Sequence, residues 1–129
     1  MTLDELGREW LALGGGWAPG MLAPGWAIPP AITFGWDDCR ILDADPGDIP
    51  QVVTVLGVVR DLQEGAWPDL SDPATEGACL GVLRELAGDS LDICFDCGFW
   101  RIEWPDWFEE ARTRPEAIVA ALRALKETT

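Results

Sequence analysis

The run from Trp10 to Trp36 contains no Asp, Glu, Lys or Arg, yet it carries Pro19, Pro24, Pro29 and Pro30. Gly14, Gly15, Gly16, Gly20, Gly25 and Gly35 punctuate the same run. An uncharged stretch of this length invites comparison with a membrane span. Proline removes a backbone donor and clashes with the preceding turn, so one continuous helix cannot pass through it. The segment at 14–30 is therefore expected to be irregular, and regular structure must come from its flanks. Gly-Trp recurs at 16–17, 25–26 and 35–36, which is too short and inexact for a stacked repeat. The chain begins Met1-Thr2-Leu3-Asp4-Glu5-Leu6. A signal peptide needs a basic start and then an apolar run, so a cytoplasmic location is expected, with reduced cysteines.

Helix signals are clear at three places. Thr2-Leu3-Asp4-Glu5 has capping-box spacing, and Leu3, Leu6, Trp10 and Leu13 recur at helical intervals before Gly14. A helix is predicted over residues 3–13. Asp72 and Pro73 suit the N-cap and first position of a second helix, with Cys79, Val82, Leu83 and Leu86 on its apolar face and Gly88 at its end. Thr113-Arg114-Pro115-Glu116 gives another capping box, followed by the stripe Ile118, Val119, Leu122 and Leu125.

Strand signals fall between these helices. Two β-type runs, Ala31 to Asp43 and Gln51 to Arg60, flank the turn-forming Asp45-Pro46-Gly47-Asp48. A hairpin is the natural arrangement, although the second run lacks alternation and leaves a buried helix open. Leu91 to Trp104 reads as a second hairpin with its turn at Asp96-Cys97. That register places Leu91, Ile93, Phe95, Trp100, Ile102 and Trp104 on one face and Asp92 opposite Arg101. The expected fold class is α+β, in the order α-β-β-α-β-β-α, with helices on one face of an antiparallel sheet of two hairpins. At 129 residues, 48% apolar and 25% charged, residues 1–129 suit one acidic globular domain rather than a disordered chain.

The chain carries a net charge of −14 and no histidine. Lack of histidine excludes Ser-His-Asp and Cys-His catalysis in cis, and every histidine-containing metal site. The negative charge argues against direct binding to DNA, RNA or an anionic membrane, which are polyanions. No enzymatic activity and no cofactor are expected.

The weak metal candidate is a four-cysteine site of Cys39, Cys79, Cys94 and Cys97. Cys94-Phe95-Asp96-Cys97 resembles half of a zinc knuckle, but Cys39 and Cys79 do not form the second pair that structural zinc usually shows. Reduced, partly buried cysteines are the plainer expectation. The segment from Asp43 to Asp48 lacks the ligand pattern of a calcium loop, and Gly14-Gly15-Gly16 lacks the Lys and Ser/Thr of a phosphate loop.

Charge is unevenly spread. Asp37, Asp38, Asp43, Asp45 and Asp48 share their segment with Arg40 alone, and Asp61 to Glu76 carries no positive residue. A solvated face that keeps the protein soluble explains this simply. A surface for a basic partner explains it too, since carboxylates can take the place of phosphates and a strong field speeds encounter. Trp26 and Trp36 would be its apolar anchors, tryptophan being both a common core filler and the favoured interface residue.

Two segments carry a resemblance. Gly16-Trp17-Ala18-Pro19-Gly20-Met21 resembles a Trp-x-Pro-Gly-Met motif, and Pro68 to Leu80 resembles an Asp-Leu-x-Asp-Pro-Ala-Thr segment followed by Gly and Cys. Together they resemble small uncharacterised proteins encoded by phages and prophages. In this chain Ala78 separates Gly77 from Cys79, where the pattern has the two adjacent. The second motif reads physically as a helix cap and first turn. The resemblance implies a phage-type protein working in the host cytosol. The expected function is inhibition by docking an acidic surface on the basic groove of a nucleic-acid-binding host protein, such as CRISPR machinery or a polymerase. The alternative is a structural or assembly accessory protein without an inhibitory role, and homo-oligomers are compatible with either.

Overall fold

The computed structural model describes residues 1–23, 39–45, 47–53, 57, 59–62 and 64–127. Within them lie the helices α1 (Leu3–Ala12), α2 (Pro73–Ala87) and α3 (Arg114–Glu127). Strands β1 (Leu22–Ala23), β2 (Cys39–Asp43), β3 (Gln51–Val53) and β4 (Val59–Asp61) form one antiparallel sheet in that order. Strands β5 (Asp92–Asp96), β6 (Phe99–Trp104) and β7 (Trp107–Ala111) form another. The protein is thus α+β, as its sequence predicts, but its hairpins belong to two sheets rather than one.

The helices start where their caps say. The Thr2 hydroxyl accepts from the Glu5 amide at 3.3 Å while the Glu5 carboxylate accepts from the Thr2 amide at 3.3 Å. Asp72 accepts from the Thr75 amide at 3.0 Å to cap α2. The Thr113 hydroxyl accepts from the Glu116 amide at 3.3 Å and donates to its carboxylate at 2.8 Å. Helix α3 is the centrepiece and packs on α1, α2, β6 and β7. Its buried stripe holds Ala117, Ile118, Val119, Ala121, Leu122 and Leu125, which includes all four positions expected from the spacing. One buried cluster joins these residues to Leu6 and Trp10 of α1, Cys79, Leu80 and Leu83 of α2, Cys39, Ile41 and Val52 of the first sheet, and Ile102 of the second.

Strand register departs from expectation twice. In the β5–β6 hairpin Ile93 faces Ile102, Phe95 faces Trp100 and Asp96 faces Phe99, so Cys97 and Gly98 form the turn. A two-residue hairpin turn of type I′ needs positive φ at both central positions. Cys97 has φ 51 and Gly98 φ 86. Glycine belongs inside the turn, and the register moves by two residues, pairing Asp92 with Glu103 instead of Arg101. A two-residue shift preserves side-chain alternation, so the apolar residues still share a face. The second departure is the run Gln51 to Arg60, whose described residues include two strands, β3 and β4, paired antiparallel with Gln51 opposite Asp61.

Of the segment expected to be irregular, residues 24–30 lie outside the described residues, and the described part ends in the short strand β1 after a glycine turn held by close contacts. Trp10 is fully buried and donates its indole N–H to the Gly16 carbonyl at 2.8 Å. A Cβ on Gly15 would lie 2.2 Å from the Trp10 ring, so only glycine lets the chain turn across the indole.

Candidate functional site

The two motifs behind the resemblance meet in space and build a joint. Arg40 of β2 donates to both carboxylate oxygens of Asp72, at 2.8 and 3.0 Å, and to the Gly20 carbonyl at 3.0 Å. Thr75, fully buried, accepts from the Leu22 amide at 2.7 Å and donates to Asp72 at 3.0 Å. The Asp69 amide donates to the Leu22 carbonyl at 2.9 Å. The bond from Arg40, more than any other contact, holds the Asp72 carboxyl down at about 2, despite its partial burial. These residues lock the first sheet to the start of α2.

This joint changes the meaning of the acidic stretch 61–76. Asp72 is neutralised by Arg40, and the buried Glu76 pairs with Arg114, whose guanidinium lies 4.7 Å above the Trp100 ring. Asp69 accepts from the Ser71 amide and hydroxyl. The run without positive residues in sequence is therefore crossed by two arginines in space. It is not one open acidic face.

A compact acidic surface lies elsewhere. Asp43, Asp45, Asp48 and Asp61 surround a depression of about 450 Å³, together with Gly47, Ile49 and Gln51. All four aspartates are exposed. The register explains how they converge. An irregularity between Ile41 and Asp43 leaves Leu42 without a counterpart and pairs Asp43 with Gln51, which in turn pairs with Asp61. Asp43, Gln51 and Asp61 therefore form a row across three strands, and Gln51 donates its side-chain amide to Asp61. Asp45 and Asp48 lie in the loop joining β2 and β3, where the Asp48 amide donates to the Asp45 carbonyl at 3.2 Å. No basic residue lines the depression among those described.

Asp43, Asp45 and Asp48 thus line one depression, and Asp61 joins them. Asp37, Asp38, Trp26 and Trp36 lie outside the described residues. Trp17 and Trp67 are half-buried. The exposed tryptophan among the described residues is one that sequence reasoning did not single out, Trp107, which is 61% exposed on β7. The signal that could have found it is the Trp104-Pro105-Asp106-Trp107 turn, which announces a third strand.

The cysteines do not gather. Cys39 and Cys79 are buried in the core, Cys94 faces Arg101 across β5–β6, and Cys97 sits exposed in the turn. Among the described residues no group of three or more Cys, Asp or Glu side chains could hold a metal ion. Burial, aided by nearby Glu76, pushes the Cys79 thiol up to about 12, so it stays protonated. Two of the four candidate ligands serve as core packing. Also among the described residues, no helix is long and apolar enough to cross a membrane.

No protein-family profile, curated protein sequence or solved structure matches the chain.

Proposed function

We propose that this protein acts by binding, as a small phage-type inhibitor that docks an acidic surface on the basic groove of a nucleic-acid-binding host protein in the cytoplasm. The observation that carries the proposal is the exposed cluster of Asp43, Asp45, Asp48 and Asp61 around one depression. Four carboxylates without a lining base create a local field suited to arginines and lysines that normally hold phosphates. Exposed Ile49, which lines the same depression, offers an apolar contact beside the carboxylates. The high net negative charge would accelerate encounter with a basic partner.

The test is affinity capture from host extract with the full chain. The expected result is retention of a basic nucleic-acid-binding protein at low salt and its release at high salt. Replacing Asp43, Asp45 and Asp48 together with lysine should abolish retention, and unchanged retention would sink the proposal. The alternative role, in phage structure or assembly, is favoured by exposed Leu42 and Val59 on the same sheet and by exposed Ile49 in the loop joining β2 and β3. It predicts a homo-oligomer on sizing, insensitive to those three replacements.

A further inference from the structure

A second concavity, of about 500 Å³, lies where the β6–β7 turn meets the C-terminal turns of α2 and α3. Trp104 and Trp107 are paired across that turn, so their rings share one side of the hairpin. Leu86 and Leu125 add apolar surface to the same lining. Leu86 is 38% exposed, because α2 turns Cys79, Leu80 and Leu83 into the core instead. An apolar hollow of this volume is the size of a small-molecule site.

Its charge is one-sided. Asp106, Glu109 and Glu127 line it, and none of the described lining residues is basic. Two helix C-terminal turns also border it, and helix C-termini carry partial negative charge. The Trp107 indole N–H is already engaged by the Glu109 carboxylate at 3.0 Å. Trp107 therefore meets a ligand with its ring rather than its donor. An aromatic ring face beside carboxylates attracts cations.

We propose that this hollow binds a small amphipathic organic cation. The apolar body would lie against Trp104, Trp107 and the two leucines, and the ammonium head would face Asp106, Glu109 and Glu127. The assignment stands apart from the acidic depression on the first sheet and does not need it.

The test uses the full chain with 4-phenylbutylammonium, 4-phenylbutanol and 4-phenylbutyrate. Binding is measured by calorimetry and by the shift of the Trp107 indole N–H resonance, identified with W107F. The ammonium compound should bind at least about tenfold more tightly than the alcohol, with the butyrate weakest. The variant D106N/E109Q/E127Q should keep alcohol binding and lose the preference for the cation. The amide oxygen that E109Q introduces can still accept from the Trp107 indole, so the ring stays placed. W107A, checked as folded by circular dichroism, should weaken both ligands. Equal binding of butyrate and ammonium, a preference that survives the triple replacement, or no saturable ammonium binding by the folded protein would each overturn the assignment. Tighter binding of a capped Lys-Leu-Lys peptide than of 4-phenylbutylammonium would overturn the small-ligand class.

Discussion

Asp72 does three things with one carboxylate: it caps α2, receives Arg40 and orients Thr75. Its carboxyl sits at about 2, below its ordinary 3.8. A group whose folded value is depressed stabilises the fold above its unfolded value and loses that contribution as pH falls through the folded one. The stabilisation from Asp72 is therefore complete above about pH 4 and fades toward pH 2. Asp72→Ala should destabilise the protein by about 1–2 kcal/mol near neutrality, from lost capping alone. Urea unfolding of both proteins across the acid range should show that difference shrinking toward pH 2; a constant difference would contradict the assigned role. Gly15 supplies a steric counterpart. Gly15→Ala drives a methyl into the buried Trp10 ring, and a thermal melt should register a loss of about 1–3 kcal/mol.

At the scale of elements, what could be read in the sequence divides by the range of the interaction that decides it. Helix caps and stripes are local, so Thr2, Asp72, Thr113 and the face of α3 were legible. The shared face of Ile93, Trp100 and Ile102 was legible from alternation, but the register was not, because it depends on Cys97 accepting positive φ. The antiparallel pairing of β3 with β4 is a contact that an apolar run does not announce. The same divide holds at the candidate site. Asp43 ends β2, and Asp45 and Asp48 lie in the loop after it; all three flank turn chemistry, and all three are exposed. Asp61 joins them only through β4, while Asp72 and Glu76 leave the acidic face because Arg40 and Arg114 arrive from distant elements. The hairpin offers its own check. Asparagine tolerates the left-handed region better than cysteine, so Cys97→Asn should stabilise the protein by about 0.5–1 kcal/mol. Gly98→Ala, at φ 86, should destabilise it by about 1 kcal/mol or more. Chemical denaturation measures both, and the opposite ordering would contradict the turn assignment.

For the whole molecule, the charge of −14 is not a uniform coat. Ion pairs from Arg8, Arg40, Arg101, Arg114 and Arg123 each engage a carboxylate among the described residues. Four aspartates gather around the depression of the first sheet, and three further carboxylates line the tryptophan hollow beside the second. A protein that presents carboxylates to a phosphate-binding groove should compete with nucleic acid for that groove. The central measurement is therefore a competition titration. The captured host protein is loaded with labelled nucleic acid, and the full chain is added at low salt. Stoichiometric displacement of the nucleic acid is expected, lost when Asp43, Asp45 and Asp48 are replaced by lysine. A stable ternary complex, or displacement that survives the three replacements, would contradict it.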